Sequence, residues 1–114
     1  MYKRQALAAA TTVHDLDGLH VDLQLREVSL HNEPVHLTPT EFNLLACLVR
    51  SAGRVVTHRQ LLTDVWGAEF TDHTHYLRLY MGQLRAKIEA DPAEPRHLLT
   101  ETGVGYRLAV LMPS

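Results

Sequence analysis

Apolar and polar positions change their period near residue 38. Before it, Leu19, Val21 and Leu23 alternate with polar neighbours, and Val28 and Leu30 resume after Leu25-Arg26. Val35 and Leu37 follow a turn at His31-Asn32-Glu33. A period of two puts alternate side chains on one face of a strand, so this third of the chain predicts a small antiparallel meander. From Thr38 the period lengthens. The run T-P-T-E sets a capping threonine before Pro39 at the first helical position, with Glu41 spaced to reach back to the capping amide. The helix predicted there runs through Leu44 to Val49 and stops near Ser51, with Gly53 supplying the left-handed position at its end. After a short extended piece at Val55-Val56, Thr57 and Gln60 repeat the capping spacing. They open a second helix through Leu61, Leu62, Val65 and Trp66, ended by Gly67. Thr71 or Asp72 is then placed to cap a third, longer helix reaching about Ala90, where Asp91-Pro92 stops it.

In that third helix Leu77, Met81, Leu84 and Ile88 fall at spacings of four, three and four, a stripe that faces a core. The opposite face holds His75, Leu79, Gly82, Gln83 and Ala86, with Tyr76 beside them and Arg78 and Arg85 on one flank. Apolar, amide, imidazole and guanidinium groups without an acid make a reading surface rather than a plain solvated one. Further on, Leu98-Leu99-Thr100, a Gly103-Val104-Gly105 turn, and Tyr106, Leu108 and Val110 in alternation predict a β-hairpin with a glycine-bearing tip. Meander, helix, helix, longer helix and hairpin give an α+β winged helix-turn-helix, whose third helix enters the major groove while the hairpin lies along the backbone or minor groove.

Composition narrows this little. The 114 residues suit one domain, read as residues 14–112, with 1–13 as a linker or cloning remnant. Eleven basic and 13 acidic residues give a net charge of -2, which excludes a protein held to nucleic acid by bulk charge. Distribution matters more: Arg50, Arg54 and Arg59 lie in an acid-free stretch from Phe42 to Thr63, and Arg78, Arg85 and Lys87 in another from His73 to Ile88. The longest apolar run, Leu44 to Val49, is far too short to cross a bilayer, which takes about 18 residues or more. Cys47, the only cysteine, sits in that run and reads as core, in keeping with a cytoplasmic protein.

Enzyme signatures are missing. There is no G-x-S-x-G and no Walker loop, and the glycines at 103 and 105 lack the strand-to-helix setting and third glycine of a dinucleotide site. His73 and His75, placed on one helix, would point about 200° apart, whereas a zinc pair on a helix takes a spacing of four. Neither metal nor cofactor is expected. The four histidines of the meander, His14, His20, His31 and His36, read as exposed strand or turn positions. The residue types that DNA binding uses are present: Arg78, Arg85, Lys87 and Arg107 for phosphates, Gln83 for a bidentate contact with adenine, Tyr76 and Leu79 for thymine methyls. For Arg85 the competing reading is a surface ion pair with Glu89 four residues on. For Trp66 and Tyr106 it is packing between helix and hairpin. The alternative function is a winged-helix module whose third helix binds a protein.

The segments L-T-P-T-E-F-N-L-L, R-Q-L-L-T-D-V-W-G and T-G-V-G-Y-R-L, in this order and spacing, resemble the effector domains of OmpR/PhoB response regulators over residues 19–109. H-T-H-Y-L-R-L-Y-M-G-Q-L-R followed by D-P-A-E-P-R-H-L-L-T-E-T-G-V-G-Y-R is similar to the potassium-transport regulators within that family. The resemblance implies a four-stranded N-terminal sheet, three helices and a hairpin, joined in the whole protein to a phosphate-accepting receiver domain that this chain lacks. It implies double-stranded DNA with a direct-repeat operator, a second copy bound head to tail, and a sensor kinase acting through the receiver. The loop Gly67, Ala68, Glu69, Phe70, Thr71, Asp72 matches the segment that meets RNA polymerase in some members. Base contacts carry over to Tyr76, Arg78, Leu79 and Gln83, and phosphate contacts to His58, Trp66, His75, Arg85 and Tyr106. The wing is Thr102, Gly103, Val104 and Gly105. Thr102 and Gln83 stand where one well-known member has arginine, so minor-groove reading by that route is not implied, and an operator richer in A·T is.

Overall fold

A computed structural model describes residues 12–110. Four short strands come first: β1 Val13–Leu16, β2 Leu19–Asp22, β3 Glu27–Leu30 and β4 Glu33–Pro34, antiparallel in the order β1-β2-β3-β4. Val13, grouped with the linker by sequence, is thus the first residue of the sheet. Two-residue turns close the outer hairpins. Asp17-Gly18 and His31-Asn32 have positive φ at both positions, the geometry that matches the twist of paired strands. Glu33, expected in the second turn, therefore belongs to β4. Val35 and Leu37 do not extend that strand: Pro34 has no N–H for the ladder, and pairing ends with Val35 N–H donating to the Val28 carbonyl.

Helix α1, Pro39–Arg50, starts as the capping box predicts. The Glu41 amide donates to Thr38 Oγ1 at 3.2 Å, and Thr38 N–H donates to Glu41 Oε1 at 3.0 Å. Its end differs by one residue: Ala52, not Gly53, is the first left-handed position, with Gly53 following. Strand β5, Val56–Thr57, leads into α2, His58–Val65. Thr57 caps α2 through the Gln60 amide, but the return half of the box is not made, because the Gln60 side chain binds Asp64. A 3-10 turn at Ala68–Phe70 precedes α3, Thr74–Ile88. Neither Thr71 nor Asp72 caps α3; His73 is the N-cap and makes no side-chain cap bond. The 3-10 turn runs almost directly into the helix through His73 N–H to Phe70 O and Tyr76 N–H to His73 O, which leaves the two expected caps upstream of its first turn. At the far end Glu89 is already extended, two residues before Asp91-Pro92.

Strands β6 Leu98–Glu101 and β7 Gly105–Leu108 form the hairpin, and β5 joins it, giving a second antiparallel sheet in the order β5-β7-β6. The core lies between the helices and the inner faces of the two sheets. Leu44, Leu45, Leu48, Leu61, Leu62, Leu98 and Leu108 are fully buried together with the whole predicted α3 stripe, Leu77, Met81, Leu84 and Ile88. That stripe fixes which face of α3 is left to solvent.

Candidate nucleic-acid interface

With its apolar stripe in the core, α3 turns His75, Tyr76, Arg78, Leu79, Gly82, Gln83 and Ala86 outward, all exposed. Leu79 is 56% exposed. No acidic residue occurs between Thr74 and Ile88. The four positions assigned to bases, Tyr76, Arg78, Leu79 and Gln83, therefore share one uninterrupted, acid-free face.

The start of α3 is held by a chain of rings. Trp66, the C-cap of α2, lies 5.4 Å from Tyr80 and 6.4 Å from Tyr76, centroid to centroid. Phe70 of the 3-10 turn approaches His73 at 5.1 Å, and His73 stacks on Tyr76 at 5.2 Å. Such contacts add about 0.5–1.5 kcal/mol each beyond their buried area. They link the end of α2, the loop Gly67–Asp72 and the first turn of α3 into one block. Within that loop Ala68, Glu69 and Asp72 are exposed while Phe70 faces inward to the rings. His73 and His75 are not a diverging helical pair, since His73 lies outside the helix and the two rings are 5.9 Å apart. Among the described residues no three His, Cys, Asp or Glu side chains gather as a metal-binding group.

Several residues expected at phosphates have partners inside the domain. Arg85 is not paired with Glu89. Its Nε and Nη2 donate to the Leu98 carbonyl at 3.2 and 2.8 Å, Nη2 also donates to Thr100 Oγ1 at 2.8 Å, and the guanidinium lies 5.5 Å from the Tyr106 ring centroid. Tyr106 is only 6% exposed, packed edge-on against His58 at 5.5 Å, so it is a packing anchor of the second sheet. Lys87 Nζ binds Glu41 Oε1 at 2.6 Å, and Arg107 Nε binds Glu101 Oε2 at 2.7 Å. In the wing, Thr102, Gly103 and Val104 form the exposed tip, but Gly105 is buried in β7. A Cβ on Gly105 would lie 1.9 Å from the Val56 carbonyl oxygen, so glycine is required there for β5 and β7 to meet.

The burial of two carboxylates, and the partners that hold them, are not legible in the sequence. Glu41, 2% exposed, accepts from both Thr38 N–H and Lys87. Burial alone raises its pKa, but the Lys87 ammonium and the Thr38 N–H outweigh this and hold it below the usual glutamate value. Glu89, 6% exposed, accepts from the backbone N–H groups of Arg96, His97 and Leu98. His14 is also buried, against the exposed position expected for it. Burial, then the neighbouring His97, push its pKa down, with Asp15 opposing. Cys47 is partly buried among apolar neighbours, and burial pushes its thiol pKa up.

No helix of the described residues is long and apolar enough to cross a membrane. Residues 32–108 match the family model described as the C-terminal part of transcriptional regulatory proteins. The chain is 54% identical over 103 residues to the KDP operon transcriptional regulatory protein KdpE of Escherichia coli (strain K12), covering 87% of this chain and 46% of that protein. It thus spans about half the length of the curated relatives it matches. Among solved structures, the Thermotoga maritima response regulator DrrB, an OmpR/PhoB homologue, superposes with a TM-score of 0.69 at 32% identity, covering 85% of this chain and 44% of DrrB. The DNA-binding domain of Klebsiella pneumoniae RstA, solved on its RstA box, superposes with a TM-score of 0.76 at 26% identity, covering 85% of this chain and 96% of that one. Fold, acid-free helix face and relatives agree: the chain belongs to the OmpR/PhoB family of response regulators, close to KdpE, and has the winged-helix fold of their C-terminal DNA-binding domains.

Proposed function

We propose that this domain is the sequence-specific DNA-binding output of a two-component regulator controlling potassium-transport genes. The observation that carries it is the outward face of α3, continuous from His75 to Ala86, with guanidinium, amide, imidazole and apolar groups and no acid. The RstA domain bound to its box and the similarity to KdpE support the reading. Tyr76, Arg78, Leu79 and Gln83 contact base edges in the major groove, and His58, Trp66 and His75 lie against flanking phosphates. Arg85 and Tyr106 brace that surface from within, Lys87 and Arg107, partly exposed, flank it as further phosphate contacts, and Thr102 to Val104 form the part of the wing that reaches the backbone. The exposed side of Gly67 to Asp72 meets RNA polymerase. Two copies bind head to tail on a direct repeat, and a sensor kinase acts through a receiver domain of the whole cytoplasmic protein.

Fluorescence anisotropy tests this. A labelled duplex carrying a direct repeat from a potassium-transporter promoter is titrated alongside a scrambled duplex over a series of salt concentrations. Tighter binding to the repeat, falling steeply with salt as phosphates are neutralised, is expected. Equal binding to both duplexes overturns the potassium assignment, and no binding at low salt overturns the DNA reading.

A further inference from the structure

We infer that Gly82 is the point where α3 comes closest to DNA, and that its missing side chain is a specificity determinant; this rests on the DNA-binding reading above. Gly82 lies in the interior of a 15-residue helix, where glycine is the least favourable residue after proline. The fold supplies no reason for it. Gly82 is exposed, its φ is not positive, and a Cβ built on it meets nothing within 4 Å. Gly105 is the opposite case, with backbone 1.9 Å from where a Cβ would lie. One glycine is demanded by the protein; the other is demanded by something outside it.

Position on the face says what that is. Arg78 and Ala86 lie one turn to either side of Gly82, Leu79 three residues before it, and Gln83 next to it, all exposed. Within the face, Gly82 is therefore a dip down to bare backbone, with Arg78 on one side and Leu79 and Gln83 on the other. A helix with its side chains is about 10–12 Å across, close to the roughly 12 Å width of the major groove. Bulk on the backbone of the groove-facing side thus limits how deep the helix can sit. With no Cβ at residue 82, α3 seats deeper, and Arg78 and Gln83 reach base edges at hydrogen-bonding distance. An added methyl costs the free domain nothing, and in the complex it lifts the helix away from the bases.

The test is Gly82→Ala in the full chain, with Gly82→Leu as the larger step. A labelled duplex enriched from a random pool on the wild-type protein and a scrambled duplex are titrated by anisotropy, and thermal unfolding is followed by circular dichroism. The expected result is an unfolding midpoint raised by about 4 °C or more. Specific affinity falls about tenfold or more, binding to the scrambled duplex stays within about twofold, and Leu is worse than Ala. Specific binding by Gly82→Ala within about twofold of wild type, with wild type still discriminating the duplexes, overturns the inference and leaves the DNA reading intact. If the wild-type pool yields no enriched duplex, the DNA reading fails instead, which the variant comparison alone would not reveal.

Discussion

Arg85 and Leu98 are joined by a forked hydrogen bond, with Nε and Nη2 of the guanidinium both donating to one backbone carbonyl, at 3.2 and 2.8 Å. The contact runs from the last turn of α3 to the first residue of β6, so the helix proposed to read bases and the hairpin proposed to flank them are fastened by one side chain. A lysine has a single nitrogen on a flexible stem and cannot reproduce the fork.

Arg85→Lys is therefore expected to behave much like Arg85→Ala. Each loses about 1–2 kcal/mol of stability in urea unfolding and weakens binding to all duplexes alike. Full affinity in the lysine variant would show instead that the charge acts directly on a phosphate.

Glu89 collects three backbone N–H groups at the entry to β6, two of them, on His97 and Leu98, buried. Leaving buried donors unpaired costs about 1–3 kcal/mol each. Glu89→Ala is expected to lower unfolding free energy by about 3 kcal/mol or more, and Glu89→Gln, which keeps one acceptor oxygen, by clearly less. Equal losses would mean that the charge, and not the acceptor count, matters.

Stability should fall with acid in two separable steps. His14 has its folded pKa lowered by burial and by His97, so the unfolded chain takes up a proton first as pH drops. Its contribution is complete above pH 6.5 and is lost as pH falls from there through the lowered folded value. Glu41 is also lowered, because Lys87 and Thr38 outweigh its burial; its contribution holds above pH 4.5 and disappears on further acidification. Urea unfolding across this range should show His14→Gln flattening the upper step and Glu41→Gln the lower one. A wild-type curve flat between pH 7 and about 5 would refute the His14 part.

Gly105→Ala is expected to break the β5–β7 pairing, since the added methyl collides with the Val56 carbonyl. A loss of about 2 kcal/mol or more is predicted, with early hydrogen exchange at the amides of Val56 and Tyr106. Retained protection there would contradict the steric account.

Gln83→Ala should change which sequences bind rather than how salt affects binding. Preference at one base pair is expected to fall by about 1–3 kcal/mol in competition titrations, with the salt slope unchanged. A shallower slope would reassign Gln83 to the backbone.

The elements that were legible in the sequence were those written in local spacing. The box at Thr38 and Glu41 and the stripe from Leu77 to Ile88 need only neighbours three or four residues away, and both are as read. Strand β1 escaped because its buried position is His14, so no apolar alternation marks it. Glu41 and Lys87 are 46 residues apart, and Glu89 serves amides beyond a loop; such partners exist only once the chain is folded. The same cause explains the phosphate list. Sequence marks Arg85, Lys87 and Arg107 as cations but not their partners inside the domain, a carbonyl and a hydroxyl for Arg85 and carboxylates for Lys87 and Arg107.

Strand β5 gives the wing an attachment that a simple hairpin lacks. It pairs with β7, it leads straight into α2, and the first amide of α2, on His58, donates to the Val104 carbonyl near the wing tip. Arg85 secures the other edge through β6. Tip and helix are thus two jaws of a caliper with a fixed gap. In the complex proposed above, a caliper does not adjust to what it measures: a duplex whose groove width departs from that gap has to bend to fit, and the cost of bending becomes part of how the domain would tell one DNA from another.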